Sequence, residues 1–341
     1  MNVTIKQIAQ EAGVSLTTVS NVINHKAHRV SDEKRQIIEA IIKKYDYSPN
    51  MNARALVQSS SRLIGLLYFS DTPRLDFSDP FVTEILEGIE RKTKEAGFFT
   101  LIHNVISKHD ILAVQKNWKF DGFIAVGFSQ ELFEEINQAV QSPIVFIDTH
   151  LDARVYDHME EYPKRYFINT DDFQAAYTAT SYLIENGHKE IAFLSHVFDN
   201  RFPGVIQQRY LGYQKALEDH QLKISETLMF NKADFQLMLS HGKEYSAVLV
   251  SADYLAMEFI YFLKQAGQYK VEETSIISFD DIKYAALNDP PLTTIRLDQI
   301  SKGEQAMQLL ADIIDKEENP QQITQLYGSL IVRETVTTKN E

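Results

Sequence analysis

Leu16, Thr17 and Asn21 carry the clearest chemistry in this sequence, and it is the chemistry of recognition rather than of bond-making. A threonine hydroxyl can hydrogen-bond a base edge while its methyl meets thymine. Asparagine can pair bidentately with adenine, and leucine offers apolar contact. Thr4, Thr18, Ser20 and Asn24 lie around them as short donors suited to phosphate oxygens. A second set lies far along the chain. Asp148, Ala252 with Asp253, and Asp280 each follow a run of apolar residues, and Arg209 opens a helical pattern. Ligands of parallel α/β sheets bind beyond the carboxyl ends of the strands, so these positions are candidates for a small-molecule cleft. Carboxylates and one arginine suit vicinal hydroxyls, and Phe235 or Phe81 can stack on a sugar ring. Each has a plainer reading. Asp148 and Asp280 can cap turns, Arg209 can make a surface ion pair, and Phe235 can be core.

The first set needs a helical scaffold, and residues 4–47 read as three short helices. Thr4-Ile5-Lys6-Gln7 spells a capping box, with Ile5, Ile8, Ala9 and Ala12 on one face behind it. Gly13 ends that helix and Ser15 can cap the next, whose inner face is Val19, Val22 and Ile23. Ser31-Asp32-Glu33 opens a third, with Ile37, Ile38, Ile41 and Ile42 as its buried stripe. Helix, glycine-containing turn and second helix form the helix-turn-helix layout, in which the start of the second helix reaches base edges. A plain helical hairpin is the alternative. Tyr47-Ser48-Pro49-Asn50 is a break, Met51–Gln58 a further short helix that is marginal alone in water, and Ser59-Ser60-Ser61 a joint.

The second set needs parallel sheets. Apolar runs recur at 63–69, 99–102, 122–126, 144–147, 191–194, 247–250 and 275–279, as buried parallel strands do. Helical patterns at Pro80–Glu95, Phe173–Glu185 and Arg209–Glu218 lie between them. Strand and helix in alternation predict doubly wound α/β structure, and seven strands are divided here into two lobes.

Composition is consistent with this division. The net charge of the whole chain is −13, yet residues 1–62 hold nine Lys/Arg against five Asp/Glu, so a head of +4 sits on a body of −17. A polyanion at one end only is implied. The absence of cysteine removes disulfides, thiol catalysis and Cys-based zinc sites. There is no glycine-rich phosphate loop, no His-Glu-x-x-His and no Gly-x-Ser-x-Gly. An enzyme is therefore not expected, and neither a cofactor nor a metal. No apolar stretch is long enough to span a membrane and the start lacks the core of a signal peptide, so a cytoplasmic protein is expected.

Thr4-Ile5-Lys6-Gln7-Ile8-Ala9, Ala12-Gly13-Val14-Ser15 and Thr18-Val19-Ser20-Asn21-Val22-Ile23-Asn24 closely resemble the head of the lactose-repressor/galactose-repressor (LacI/GalR) family. Tyr47-Ser48-Pro49-Asn50 with Ala53-Arg54-Ala55-Leu56 resembles its hinge helix, and Leu63-Ile64-Gly65 its first core strand. Glu185–Lys189, Arg209–Tyr213, Ser278–Asp281 and Pro290–Ile295 also match, so the likeness covers nearly the whole chain in order.

The resemblance implies a DNA-binding transcription regulator, a repressor of carbohydrate genes, that works as a homodimer on a near-palindromic operator. It implies a helix-turn-helix head over 1–48, a hinge helix and linker over 49–61, and an effector-binding domain like the periplasmic sugar-binding proteins over 62–341. The first lobe is expected at about 62–165 and 297–325, the second at about 166–296 and 326–341. Asn50, Ala53, Arg54 and Leu56 fall on the family's minor-groove hinge, with Leu56 as an apolar wedge between base pairs. Asp148, Arg209, Phe235 and Asp280 fall on its effector positions. The run 121–127 resembles galactose-type members, which makes a galactoside the first candidate effector. Ser251-Ala252-Asp253 and Val126 depart from asparagine-bearing family positions and remove ligand hydrogen bonds. The alternatives are a regulator answering a phosphorylated metabolite or protein partner, and a sugar-binding protein without DNA activity.

Overall fold

The computed structural model describes residues 3–23, 30–47, 60–69, 76–242, 244–315 and 320–339. The chain divides into two units, Met1–Ser61 and Arg62–Glu341.

Within the first unit three helices enclose a small apolar core. Helix α1 spans Ile5–Glu11, α2 Leu16–Ile23 and α3 Asp32–Lys44. The expected capping box is present: Thr4 Oγ1 accepts from the Gln7 backbone N–H at 3.4 Å, and Gln7 Oε1 accepts from the Thr4 backbone N–H at 2.8 Å. Gly13 has φ of +64° and so turns the chain where a side chain would be strained. Ser15 Oγ then accepts from the Thr18 N–H at 3.1 Å and starts α2. Ile8, Ala9, Val19, Val22, Ile38 and Ile41 fill the core. Ile37 departs from the expected stripe. It is an exposed residue of α3, because the core contacts of that helix pass through Ile38 and Ile41.

The second unit contains two six-stranded sheets. In the first, β1 (Leu63–Phe69), β2 (Phe99–Val105), β3 (Gly122–Val126), β4 (Ile144–Ile147) and β5 (Arg165–Thr170) are joined by β11 (Ile323–Leu326), in the order β11-β5-β4-β3-β1-β2. All its pairings are parallel. The second sheet holds β6 (Ile191–Ser195), β7 (Met229–Asn231), β8 (Ala247–Val250), β9 (Ser275–Asp280), β10 (Thr293–Arg296) and β12 (Ser329–Ile331), ordered β12-β10-β9-β8-β6-β7. Among the described residues only the β10–β12 pair is antiparallel.

Two-sided burial explains the continuous apolar runs. Phe123 and Ala125 of β3 face the cluster that contains Phe133 and Phe146, while Ile124 and Val126 face the one that contains Ile85 and Met307. Helices cover both faces of each sheet. They include α4 (Pro80–Glu95), α5 (Lys108–Asn117), α6 (Gln130–Ala139), α7 (Ala153–Tyr156), α8 (Asp172–Glu185), α9 (Val205–Asp219), α10 (Phe235–Ser240), α11 (Asp253–Gln265) and α12 (Gln299–Asp315). Among the described residues no helix is long and apolar enough to cross a membrane.

The lobe boundary differs from the expected one. Strand β5 pairs with β4 and β11 through Thr170, so residues 166–170 belong to the first lobe and the chain crosses after Thr170. Leu326 likewise pairs in the first sheet. All of β5 is buried, which holds it there even though it begins with Arg165 and carries Asn169. The Arg165 guanidinium is satisfied by Asn137 Oδ1 at 2.8 Å and by the carbonyls of Asn137, Val140 and Ser142.

Each lobe is fastened by one pair of closely packed helices. A Cβ on Gly88 of α4 would lie 2.0 Å from the Ile300 carbonyl oxygen, and one on Gly303 of α12 would lie 2.4 Å from that of Ile85. In the second lobe a Cβ on Gly212 of α9 would lie 2.1 Å from the Phe173 carbonyl oxygen of α8. The obstacles are backbone and cannot rotate away. Gly88→Ala and Gly212→Ala should each destabilise the protein by about 2–3 kcal/mol through overpacking, read as a fall in the denaturant midpoint. Neutral substitutions would show that these helices can separate freely.

Candidate functional sites: a DNA-reading helix and an inter-lobe cavity

In the head, Val19 and Val22 point inward, which leaves the start of α2 outward. Leu16 and Thr17 are exposed, and Thr18, Ser20 and Asn21 are half-buried beside them. Two of the expected phosphate donors already have internal work. Thr4 Oγ1 donates to Gln7 Oε1 at 3.1 Å, and the Thr18 and Ser15 hydroxyls are 2.9 Å apart. The expected contacts Asn24, Asn50, Ala53, Arg54 and Leu56 lie outside the described residues.

In the large unit a cavity of about 660 Å³ opens between the lobes. Tyr68, Phe81, Phe128 and Asp148 line it from the first lobe; Phe198, Phe202, Arg209 and Asp280 line it from the second. Its floor is a buried charge network. Arg209 lies in the first half of α9 and donates from Nε to Asp172 Oδ1 at 2.8 Å and from a terminal nitrogen to the Ser251 carbonyl. Its other terminal nitrogen is 3.9 Å from Asp280 Oδ1, and its guanidinium lies 4.4 Å from the Phe279 ring centroid. Asp172 opens α8 just beyond the first crossover. It also meets His150 Nε2 at 3.0 Å, across the lobes. Burial alone would raise the Asp172 carboxyl; Arg209 and His150 bring it down to about 2. Burial pushes Asp280 up to about 6, with Arg209 pulling against it and the charge of Asp79 adding to it. Both Asp148 and Asp280 have positive φ, 50° and 111°, as the chain leaves its strand abruptly.

Several partners in this network carry no signal in the sequence. Lys302, only 1% exposed, donates from Nζ to both carboxylate oxygens of Asp148, at 2.8 and 2.9 Å. Glu84 on α4 accepts from the Lys283 backbone N–H across the lobes, and burial followed by the nearby Asp280 charge raises it to about 7. Asp79 caps α4 by accepting from the Phe81 N–H at 3.0 Å, and burial raises its carboxyl. Asp253 is a structural group. Its carboxylate accepts from Ser278 Oγ at 2.5 Å, Thr294 Oγ1 at 2.6 Å and the Ile282 N–H at 3.0 Å. His188 is structural too, bridging Ser246 Oγ and the Thr337 carbonyl at 3.0 Å each.

One expected residue is displaced. Phe235 does not line the cavity; its ring packs 5.1 Å from Phe259 and 5.5 Å from Phe262, because α10 turns it onto α11. Phe81, Phe128, Phe198 and Phe202 supply the aromatic surface instead.

Residues 4–50 match the bacterial regulatory proteins of the lacI family, and residues 180–336 match the periplasmic binding protein-like domain. The chain joins a lacI-family DNA-binding head to a periplasmic binding protein-like domain. Its helix-turn-helix thus serves a DNA-binding transcriptional regulator. The transcriptional repressor PurR of Vibrio campbellii is 28% identical over 99% of both chains, and PurR of Escherichia coli is 29% identical over 98% of this chain and 96% of its own. Solved structures of similar fold include the lac repressor dimer bound to operator and the anti-inducer ONPF (TM-score 0.80, 23% identity, 99% and 100% covered). They also include a CelR–cellobiose complex (0.69, 22%, 98% and 99%) and an Enterococcus faecium LacI-family regulator with bound ribose (0.67, 23%, 82% and 100%).

The Lys302–Asp148 pair is the most exacting contact beneath the cavity. Removing one partner strands a buried charge, which costs about 3–5 kcal/mol, whereas removing both leaves none. Lys302→Met should therefore lower unfolding stability by about 3 kcal/mol. Adding Asp148→Asn to it should recover most of that loss in a double-mutant cycle. Additive losses would show that the two groups do not neutralise each other.

Proposed function

We propose that this regulator represses carbohydrate-utilisation genes as a homodimer on a near-palindromic operator, and that a small sugar in the inter-lobe cavity sets its grip on DNA. The cavity carries the reading. Asp148 and Asp280 offer acceptors, Arg209 offers donors, and Phe81, Phe128, Phe198 and Phe202 offer ring faces, as amphipathic sugars require. The lining comes from both lobes, so a ligand bound there has different contacts in open and closed arrangements. That difference is what allows it to shift an equilibrium between two states. The reading needs no bond-making step and no cofactor, and it places the protein in the cytoplasm with its DNA.

The ligands named in related structures, cellobiose and ribose, support a sugar. The likeness of residues 121–127 to galactose-type members makes a galactoside the first to try, and Gly127 does line the cavity. One observation favours a phosphorylated metabolite as a second reading. Gly204 to Gln207 line the cavity at the start of α9, where no side chain caps the helix, and such termini attract anions. Asp79, Asp148 and Asp280 oppose it by repelling a phosphate.

In the head, Leu16, Thr17 and Asn21 are assigned to base edges and Thr4, Thr18, Ser20 and Asn24 to phosphates. Asn50, Ala53, Arg54 and Leu56 are assigned to the minor groove.

A thermal-shift screen should find a sugar that raises the melting temperature by several degrees, since a ligand at a hundred times its Kd adds about 2.7 kcal/mol. Asp280→Ala should abolish that shift and the ligand's effect on DNA affinity while leaving DNA binding intact. A response to sugar phosphates alone would transfer the assignment to the second reading. Leu56→Ala should weaken binding to a duplex selected from a random library by about tenfold, and binding to unrelated DNA far less, at one fixed salt concentration. Equal losses on both duplexes would refute the wedge.

A further inference from the structure

The polar groups of the cavity are deep and its aromatics reach the mouth. Asp148, Arg209 and Asp280 are each under a tenth exposed, whereas Phe202 is 61% exposed and neighbouring Val197 84%. A large apolar ring held in water within a ligand cavity calls for an occupant.

The segment between β6 and α9 holds that ring in a built setting. The Asp199 carboxylate accepts from the Arg201 backbone N–H at 3.0 Å, from Nε at 2.9 and 3.2 Å, and from Nη2 at 2.6 Å. The Phe202 N–H donates back to the Asp199 carbonyl at 3.2 Å, which closes the turn. The guanidinium of Arg201 lies 5.7 Å from the Phe202 ring centroid. Phe198 is braced from behind, with its ring 6.3 Å from Phe193 and 5.7 Å from Tyr210. Asp199, Phe198 and Phe202 all line the cavity. Two aromatic faces flanked by a forked Arg–Asp pair can stack a pyranose and meet its hydroxyls at the same time.

The volume agrees. About 660 Å³ lies well inside the range of about 300–1,000 Å³ typical of drug-sized ligands and is more than one hexose fills. A single ring that satisfies the buried charges would leave Phe202 wet.

We propose that Phe198 and Phe202, with Asp199 and Arg201, form a second sugar subsite at the mouth, so that the effector is a disaccharide or longer glycoside. One ring sits on the Asp148–Arg209–Asp280 floor and the next stacks on Phe202. The inference rests on the sugar reading of the cavity.

The test is calorimetry of the full-length protein with glucose and galactose against cellobiose, lactose, maltose and raffinose. The expected result is a disaccharide or raffinose bound at least tenfold more tightly than its component hexose. Phe202→Ala should cut the affinity for the longer sugar about tenfold and change that for the hexose less than twofold, and Phe202→Trp should restore it. Phe202 is exposed, so the fold survives its loss; an unchanged melting temperature without ligand verifies this. A hexose bound as tightly as its disaccharide, or Phe202→Ala weakening both equally, overturns the subsite and leaves the sugar reading in place. If no sugar of either length binds while DNA binding is intact, the sugar reading itself fails, and the subsite with it.

Discussion

The buried contact between Arg209 and Asp172 is the constraint on which the rest of the cavity depends. Asp172 opens the first helix after the chain enters the second lobe, and Arg209 comes from the next helix of that lobe. A guanidinium this deep is tolerable only because carboxylates and a carbonyl surround it. It lies beside Asp280 at the end of β9, and through His150 on Asp172 it reaches the first lobe. Donors, acceptors and the crossover are thus held by one network. A ligand that competes for Arg209 or Asp280 therefore acts on the junction of the lobes as well as on its own site.

Much of this was legible in the sequence, for identifiable reasons. Pro80–Glu95 has a proline at its start and an amphipathic period, and the helix occupies those residues. The capping box at Thr4 depends only on residues three apart, so local sequence suffices to show it. The central strands show as apolar runs because helices bury both of their faces. The strands at the crossover and edge are different. Thr293–Arg296, Ile323–Leu326 and Ser329–Ile331 are short and mixed in polarity, and their pairing is set by partners distant in the chain. Strand β5 was hidden by Arg165 and Asn169, whose burial is tolerated only because the fold supplies their partners.

The cavity was legible in part for the same reason. Asp148, Asp280 and Arg209 follow from the rule that ligands bind at strand ends, and all three line it with Phe81. Lys302 did not follow, although it shares a helical stripe with Ala306 and Leu310, which are buried. A lysine on such a stripe ordinarily extends its amine to water; only the structure shows that Asp148 receives it. Phe235 failed in the opposite way. An aromatic residue near a cleft and one in the core look alike in sequence, and the direction of a short helix decides between them.

The interleaving of the lobes bears on how the protein is made. Neither lobe is a continuous piece of chain: the first is completed by α12 and β11, near the end of the sequence. As the chain leaves the ribosome, β1 to β5 emerge without the helix that packs on Gly88 and without the strand that pairs with β5. The face that later receives Ala306, Met307 and Leu310 stays uncovered until β6 to β10 of the second lobe have been made. The order of synthesis therefore favours completion of the second lobe's helical face first, with the first lobe closing only after nearly all of the chain has emerged.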